Sequence, residues 1–152
     1  MKAMTSKEGP SRRQVRATAA VSTAVLAVAA GSVFAAPAVS AVLLAFQFMV
    51  FTLGWVNPSR HPYRGMARAI ESRFGDQERE HPLPVRFASL VGSIVTFLAF
   101  AATVTGAAVI TFGFALVAMF AAGANAFGGW CAACAIYPRV RRFVDPLLTT
   151  FG

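Results

Sequence analysis

The chain has 152 residues, 57% of them hydrophobic and only 13% charged, and a net charge of +8. A water-soluble domain of this size could not hide so much apolar surface, which excludes an ordinary globular core. The positive charge falls in three short polar segments rather than along one basic face, so nucleic acid is not an expected partner.

Residues 1–16 are polar and rich in Ser and Arg, and read as a disordered basic tail. Residues 17–56 and 87–138 then contain no Lys, Arg, Asp or Glu. A bilayer is crossed by about 20 apolar residues rising 1.5 Å each, so each uncharged run accommodates two spans. The expected fold class is an all-α integral membrane protein, with four transmembrane helices as two hairpins and a short amphipathic cytoplasmic helix between them. The lipid bilayer is its first partner.

The first span is expected over residues 17–34, ending before Pro37. Its basic start, apolar run and "SVFAAPA" also resemble a secretory signal peptide. A second apolar segment follows with no polar stretch between, which favours a retained span. That second span, 39–56, ends at Trp55, suited to the water interface. Gln47 stands in its middle and calls for a hydrogen bond to a neighbouring helix.

In the central loop, Tyr63, Met66, Ala67, Ile70 and Phe74 recur at helical spacing with arginines on the other faces. This pattern predicts an amphipathic helix over 63–74, lying in the headgroup layer. Spans three and four are expected over 85–103 and 108–127. Gly92, Ser93, Ala118, Ala122, Gly123 and Ala126 would let these helices approach closely, and such faces also admit a homo-oligomer. The four-helix domain is taken as 17–143, with a C-terminal tail over 144–152.

All three polar segments are net basic, whereas the two hairpin tips carry no charge. Under the positive-inside rule both termini and the central loop are cytoplasmic. An even number of spans requires the same.

Chemistry concentrates in "GGWCAACAIYPRVRR", which starts at Gly128 and holds the only two cysteines, Cys131 and Cys134. Gly128 and Gly129 read as the end of the fourth span, with a new helical turn beginning near Cys131. A helix N-terminus stabilises a thiolate, and Arg139 and Arg141 add positive potential. Trp130 and Tyr137 read as interface markers, and Asn125 as an interhelical or bracing amide. In a reducing cytosol the resting state is expected to be two thiols.

Four readings follow: a dithiol for thiol–disulfide or sulfur exchange, two small packing residues in a structural membrane subunit, half of a metal site, or a substrate channel or transporter in which the cysteines are incidental. The metal reading needs His61 and His81 to complete a set with Cys131 and Cys134, and both histidines precede prolines in an exposed loop. No metal and no cofactor is therefore expected. Any enzymatic role would be at most that of a thiol–disulfide or sulfur-relay protein.

The run "NAFGGWCAACAIYPRVRR", with "PVRFASLVG" and "HPYRGMARAIESRFG" before it, resembles the bacterial family catalogued as domain of unknown function 4395. Asn125, Ala126, Gly128 or Gly129, Cys131, Cys134 and Tyr137 carry the likeness, which runs from about residue 15 to 143. Ala133 stands where many members have glycine. The resemblance implies a small four-span protein of the bacterial cytoplasmic membrane. Because such proteins are similar to ones encoded near thioredoxins and sulfurtransferases, it also implies a cytosolic thioredoxin-like or sulfurtransferase partner.

Overall fold

The computed structural model describes residues 11–56 and 82–150, together with Gly65, Ala69 and Ser72. Apart from those three positions, the amphipathic helix expected over 63–74 lies outside the described residues, as do His61 and His81. Among the described residues five helices are delimited: α1 Arg12–Ser32, α2 Pro37–Val56, α3 Pro82–Val104, α4 Ala108–Gly128 and α5 Ala132–Thr150. The first four are long and apolar enough to cross a bilayer.

Helix α1 begins at Arg12, five residues ahead of the start that hydropathy gives. The cause is a cap: the Ser11 hydroxyl accepts a hydrogen bond from the Gln14 N–H at 3.3 Å, satisfying one of the donors that a helix start leaves open. Arg12, Arg13 and Arg16 are thereby helical. Helix α3 begins at Pro82, with Pro84 in its first turn, where a missing N–H costs nothing because that group has no intrahelical partner.

Only residues 33–36 separate α1 from α2, and only 105–107 separate α3 from α4. Gly106 takes φ +77°, and the Ala107 N–H closes the second turn on the Ala102 carbonyl at 2.9 Å. Connections this short force antiparallel neighbours. Helix α1 packs on α2, α2 on α3, α3 on α4, and α4 closes the ring on α1. Both tight turns therefore share one end of the bundle. The termini of α1–α4 that carry Arg12, Val56, Pro82 and Gly128 share the other.

The side-chain pattern is that of a protein solvated by lipid. Val42, Phe46, Met49, Ile94, Phe97, Val117 and Phe120 face outward. A small apolar cluster of Leu26, Ala29, Leu44, Ala99 and Ala118 is buried, and among the same helices Ser22, Ser40, Gln47, Thr96 and Thr111 are also buried. Their polar groups are largely satisfied at home. Gln47 Nε2 donates to Ser22 Oγ at 2.9 Å across α1 and α2, as its mid-span position requires. The Thr52 and Ser93 hydroxyls meet at 2.8 Å between α2 and α3, and Thr96 Oγ1 donates to the Gly92 carbonyl at 2.8 Å.

Small residues mark the close approaches. A Cβ at Gly92 would stand 3.1 Å from the Phe51 ring, and one at Gly123 would stand 3.6 Å from Thr23 Cγ2. Phe48 and Phe97 add a tilted ring pair at 5.5 Å.

Helix α5 leaves the arginine-bearing end of the bundle and packs on α3, with a lighter contact to α4. Hydropathy leaves its second half as a tail because its apolar residues are interleaved with arginines. Ala133, Tyr137, Val140 and Val144 are its half-buried stripe, at helical spacing. Ile136 and Phe143 are exposed on it.

Candidate dithiol site

The site is built on the junction between α4 and α5. Gly128 is the last residue of α4, and Gly129 caps it at φ +63°, in the left-handed region. The Gly129 N–H reaches the Asn125 carbonyl at 3.2 Å, and the Trp130 N–H reaches the Ala124 carbonyl at 3.3 Å. Asn125 thus serves the junction through its backbone. Its amide makes no hydrogen bond among the described residues, so the interhelical bond expected of it is not found.

The chain restarts at once. The Cys131 carbonyl accepts from the Ala135 N–H at 3.0 Å, which makes Cys131 the residue that caps α5. Cys134 follows in the first turn. Cys131 is half-buried and disulfide-bonded, and the chain's only other cysteine is Cys134. Residues three apart share a helical face, so this spacing permits closure without refolding the turn.

Pro138 stands four residues beyond Cys134 inside α5. It has no N–H to offer the Cys134 carbonyl, which interrupts the ladder one turn after the cysteines.

Tyr137 fixes α5 rather than marking an interface. Its ring packs against Phe87 of α3 at 5.7 Å, and its hydroxyl donates to Asp145 Oδ1 at 2.5 Å, about two turns on. Burial pushes the Tyr137 phenol up to about 12, helped by the hydrogen bond to the Asp145 carboxylate and its charge, and opposed by Arg141. One residue before Phe87, the buried Arg86 donates through Nε to the Trp55 carbonyl at 2.9 Å. It thereby satisfies a carbonyl left open at the end of α2. A continuous set of contacts runs from the end of α2 through Arg86 and Phe87 to the helix that carries the cysteines.

Residues 11–142 match the family described as "Domain of unknown function (DUF4395)". The chain belongs to that family. The match takes in all four spans, the Gly129 cap and both cysteines, and stops half-way along α5. No curated protein and no solved structure matches the chain.

Within this family member, the other sequence-derived candidates fall unevenly. Trp130 is 61% exposed beside Cys131. Arg139 and Arg141 are exposed on α5. At 1.5 Å per residue they lie roughly 12 and 15 Å along the axis from Cys131, beyond the distance of about 8 Å at which salt screens exposed charges. The arginine that does reach the junction is Arg16, from the first turns of α1. Its guanidinium lies against Gly129, in the space a Cβ there would occupy.

Sequence reasoning missed Arg16, because its proximity arises from α4 closing the ring on α1, one hundred residues away along the chain. It also missed Asp145 as the acceptor for Tyr137, although their spacing of eight residues, a little over two helical turns, was a readable signal. No group of three or more metal-ligating side chains is found among the described residues.

Proposed function

We propose that this membrane protein exchanges electrons with a soluble thioredoxin-like protein through Cys131 and Cys134, at the cytoplasmic face of the membrane of a bacterial cell. The carrying observation is the disulfide-bonded Cys131 at the cap of α5, with Cys134 three residues on. Orientation is supported by charge. Arg12, Arg13, Arg16, Arg86, Arg139, Arg141 and Arg142 gather at the junction end, against Asp145 as the only acid among the described residues, while the turns at the opposite end are uncharged. On that face a permanent disulfide is not maintained, so the reading is of a reversible couple.

In the reduced state, the Cys131 thiolate attacks one sulfur of the partner's disulfide. The Cys131–partner S–S bond forms as the partner's own S–S bond breaks, and the second partner sulfur leaves as a thiolate. The Cys134 thiolate then attacks Cys131, closing the intramolecular disulfide and releasing the first partner sulfur. Two electrons and two protons pass to the partner. Cys131 is assigned the attacking role because the start of α5 stabilises its thiolate.

Equilibration of the purified protein in graded thiol and disulfide buffers tests this reading. A single two-electron couple is expected between about −120 and −270 mV, the range of exchange-active pairs, and it is lost in Cys131→Ser and in Cys134→Ser. A pair that no alkylating reagent reaches after reduction contradicts the proposal.

A further inference from the structure

We infer that Arg16 is the positioning residue of the cysteine pair, holding positive charge at the α4–α5 junction and stabilising the Cys131 thiolate. This inference rests on the thiol-exchange reading above. Its geometric basis is the contact between the Arg16 guanidinium and Gly129: a Cβ at position 129 would clash with Nη2 and stand 3.1 Å from Cζ. Glycine is required at this position by the left-handed backbone, and the guanidinium lies over the face that a side chain would cover. Only Trp130 separates Gly129 from Cys131.

Among the described residues, the other charges at this end have partners of their own or lie further along α5. Arg86 is bound to the carbonyl end of α2, and Asp145 takes the Tyr137 hydroxyl. Helix α4 carries no charge at all, and Arg139, the first of the α5 arginines, lies more than two turns beyond Cys131. Among the described residues, Arg16 is the arginine placed against the junction that leads into α5, where its field adds to that of the open N–H groups of the first turn. Both favour thiolate over thiol. Stabilising the reduced, ionised form makes a disulfide more oxidising, so Arg16 poises the pair toward accepting electrons.

The test compares the midpoint potential of the cysteine couple in the full-length protein and in Arg16→Gln, Arg16→Lys and Arg12→Gln, all in detergent micelles of one composition. Arg12→Gln removes the same charge from the same helix one turn earlier. Arg16→Gln is expected to favour the disulfide about three- to tenfold, about 14 to 30 mV toward more reducing values at 29.6 mV per decade. Its Cys131 is expected to alkylate more slowly at pH 7. Arg16→Lys should fall between, because an ammonium keeps the charge without the planar contact, and Arg12→Gln should leave the potential in place.

Arg16 is exposed on α1, and each variant is required to give the wild-type elution profile before its potential is read. Equal shifts in Arg16→Gln and Arg12→Gln would reduce the effect to net charge and overturn the inference. So would an unshifted potential in Arg16→Gln when the wild-type pair cycles normally. A wild-type pair that does not cycle overturns both this inference and the reading beneath it.

Discussion

A tyrosine hydroxyl and a glutamine amide set the energetics of this protein at the scale of single residues. The Tyr137 phenol, pushed up to about 12, keeps its proton beyond the unfolded value of about 10. Its hydrogen bond therefore contributes to stability in full below pH 10, and that contribution is lost as pH rises through about 12. Tyrosinate absorbance of the wild type minus that of Tyr137→Phe should titrate near pH 12, and in Asp145→Asn the midpoint should fall. A difference curve centred at pH 10 would show that the pair is not formed. Gln47 uses its Nε2 on Ser22, but its buried Oε1 has no hydrogen-bond donor among the described residues. Gln47→Leu should accordingly lose less than about 1 kcal/mol in detergent unfolding, in keeping with the modest value of polar contacts between helices in lipid, whereas Gln47→Glu, which brings a carboxyl into the same site, should lose more. Gln47 was legible in the sequence because a lone amide in an apolar run has few ways to be satisfied. Arg16 was not, because its role depends on which helix closes the ring.

At the scale of elements, the junction of α4 and α5 turns on two adjacent glycines that look equivalent in sequence and are not. Gly128 is helical and nothing lies within 4 Å of where its Cβ would stand, whereas Gly129 is left-handed and lies under Arg16. Gly128→Ala should be neutral or stabilising by up to about 1 kcal/mol, since alanine loses less backbone freedom in a helix. Gly129→Ala should cost about 1–2 kcal/mol from the left-handed backbone alone, measured by thermal unfolding in one detergent. Equal effects at the two positions would deny the cap. The end of α4 was readable from the glycine pair. The length of α5 was not, because alternating arginines and apolar residues depress hydropathy even where Ala133, Tyr137, Val140 and Val144 keep a helical stripe.

The four spans of the whole molecule follow from its uncharged runs, since residues 17–56 and 87–138 exceed any single crossing and break at turns too short for parallel packing. What hydropathy could not supply was the order of helices around the ring, and that order brings Arg16 of α1 to the α4–α5 junction. Sidedness is the claim on which the proposed exchange depends, because a pair facing away from the cytosol would meet different partners in a different redox environment. The most direct test is labelling of Cys131 and Cys134 with a membrane-impermeant maleimide, applied to intact cells and to inverted membrane vesicles, each with and without prior reduction. The account predicts labelling in reduced inverted vesicles, loss of that labelling on oxidation, and none from outside intact cells. Labelling from the outer face, or none from either face after reduction, would contradict it.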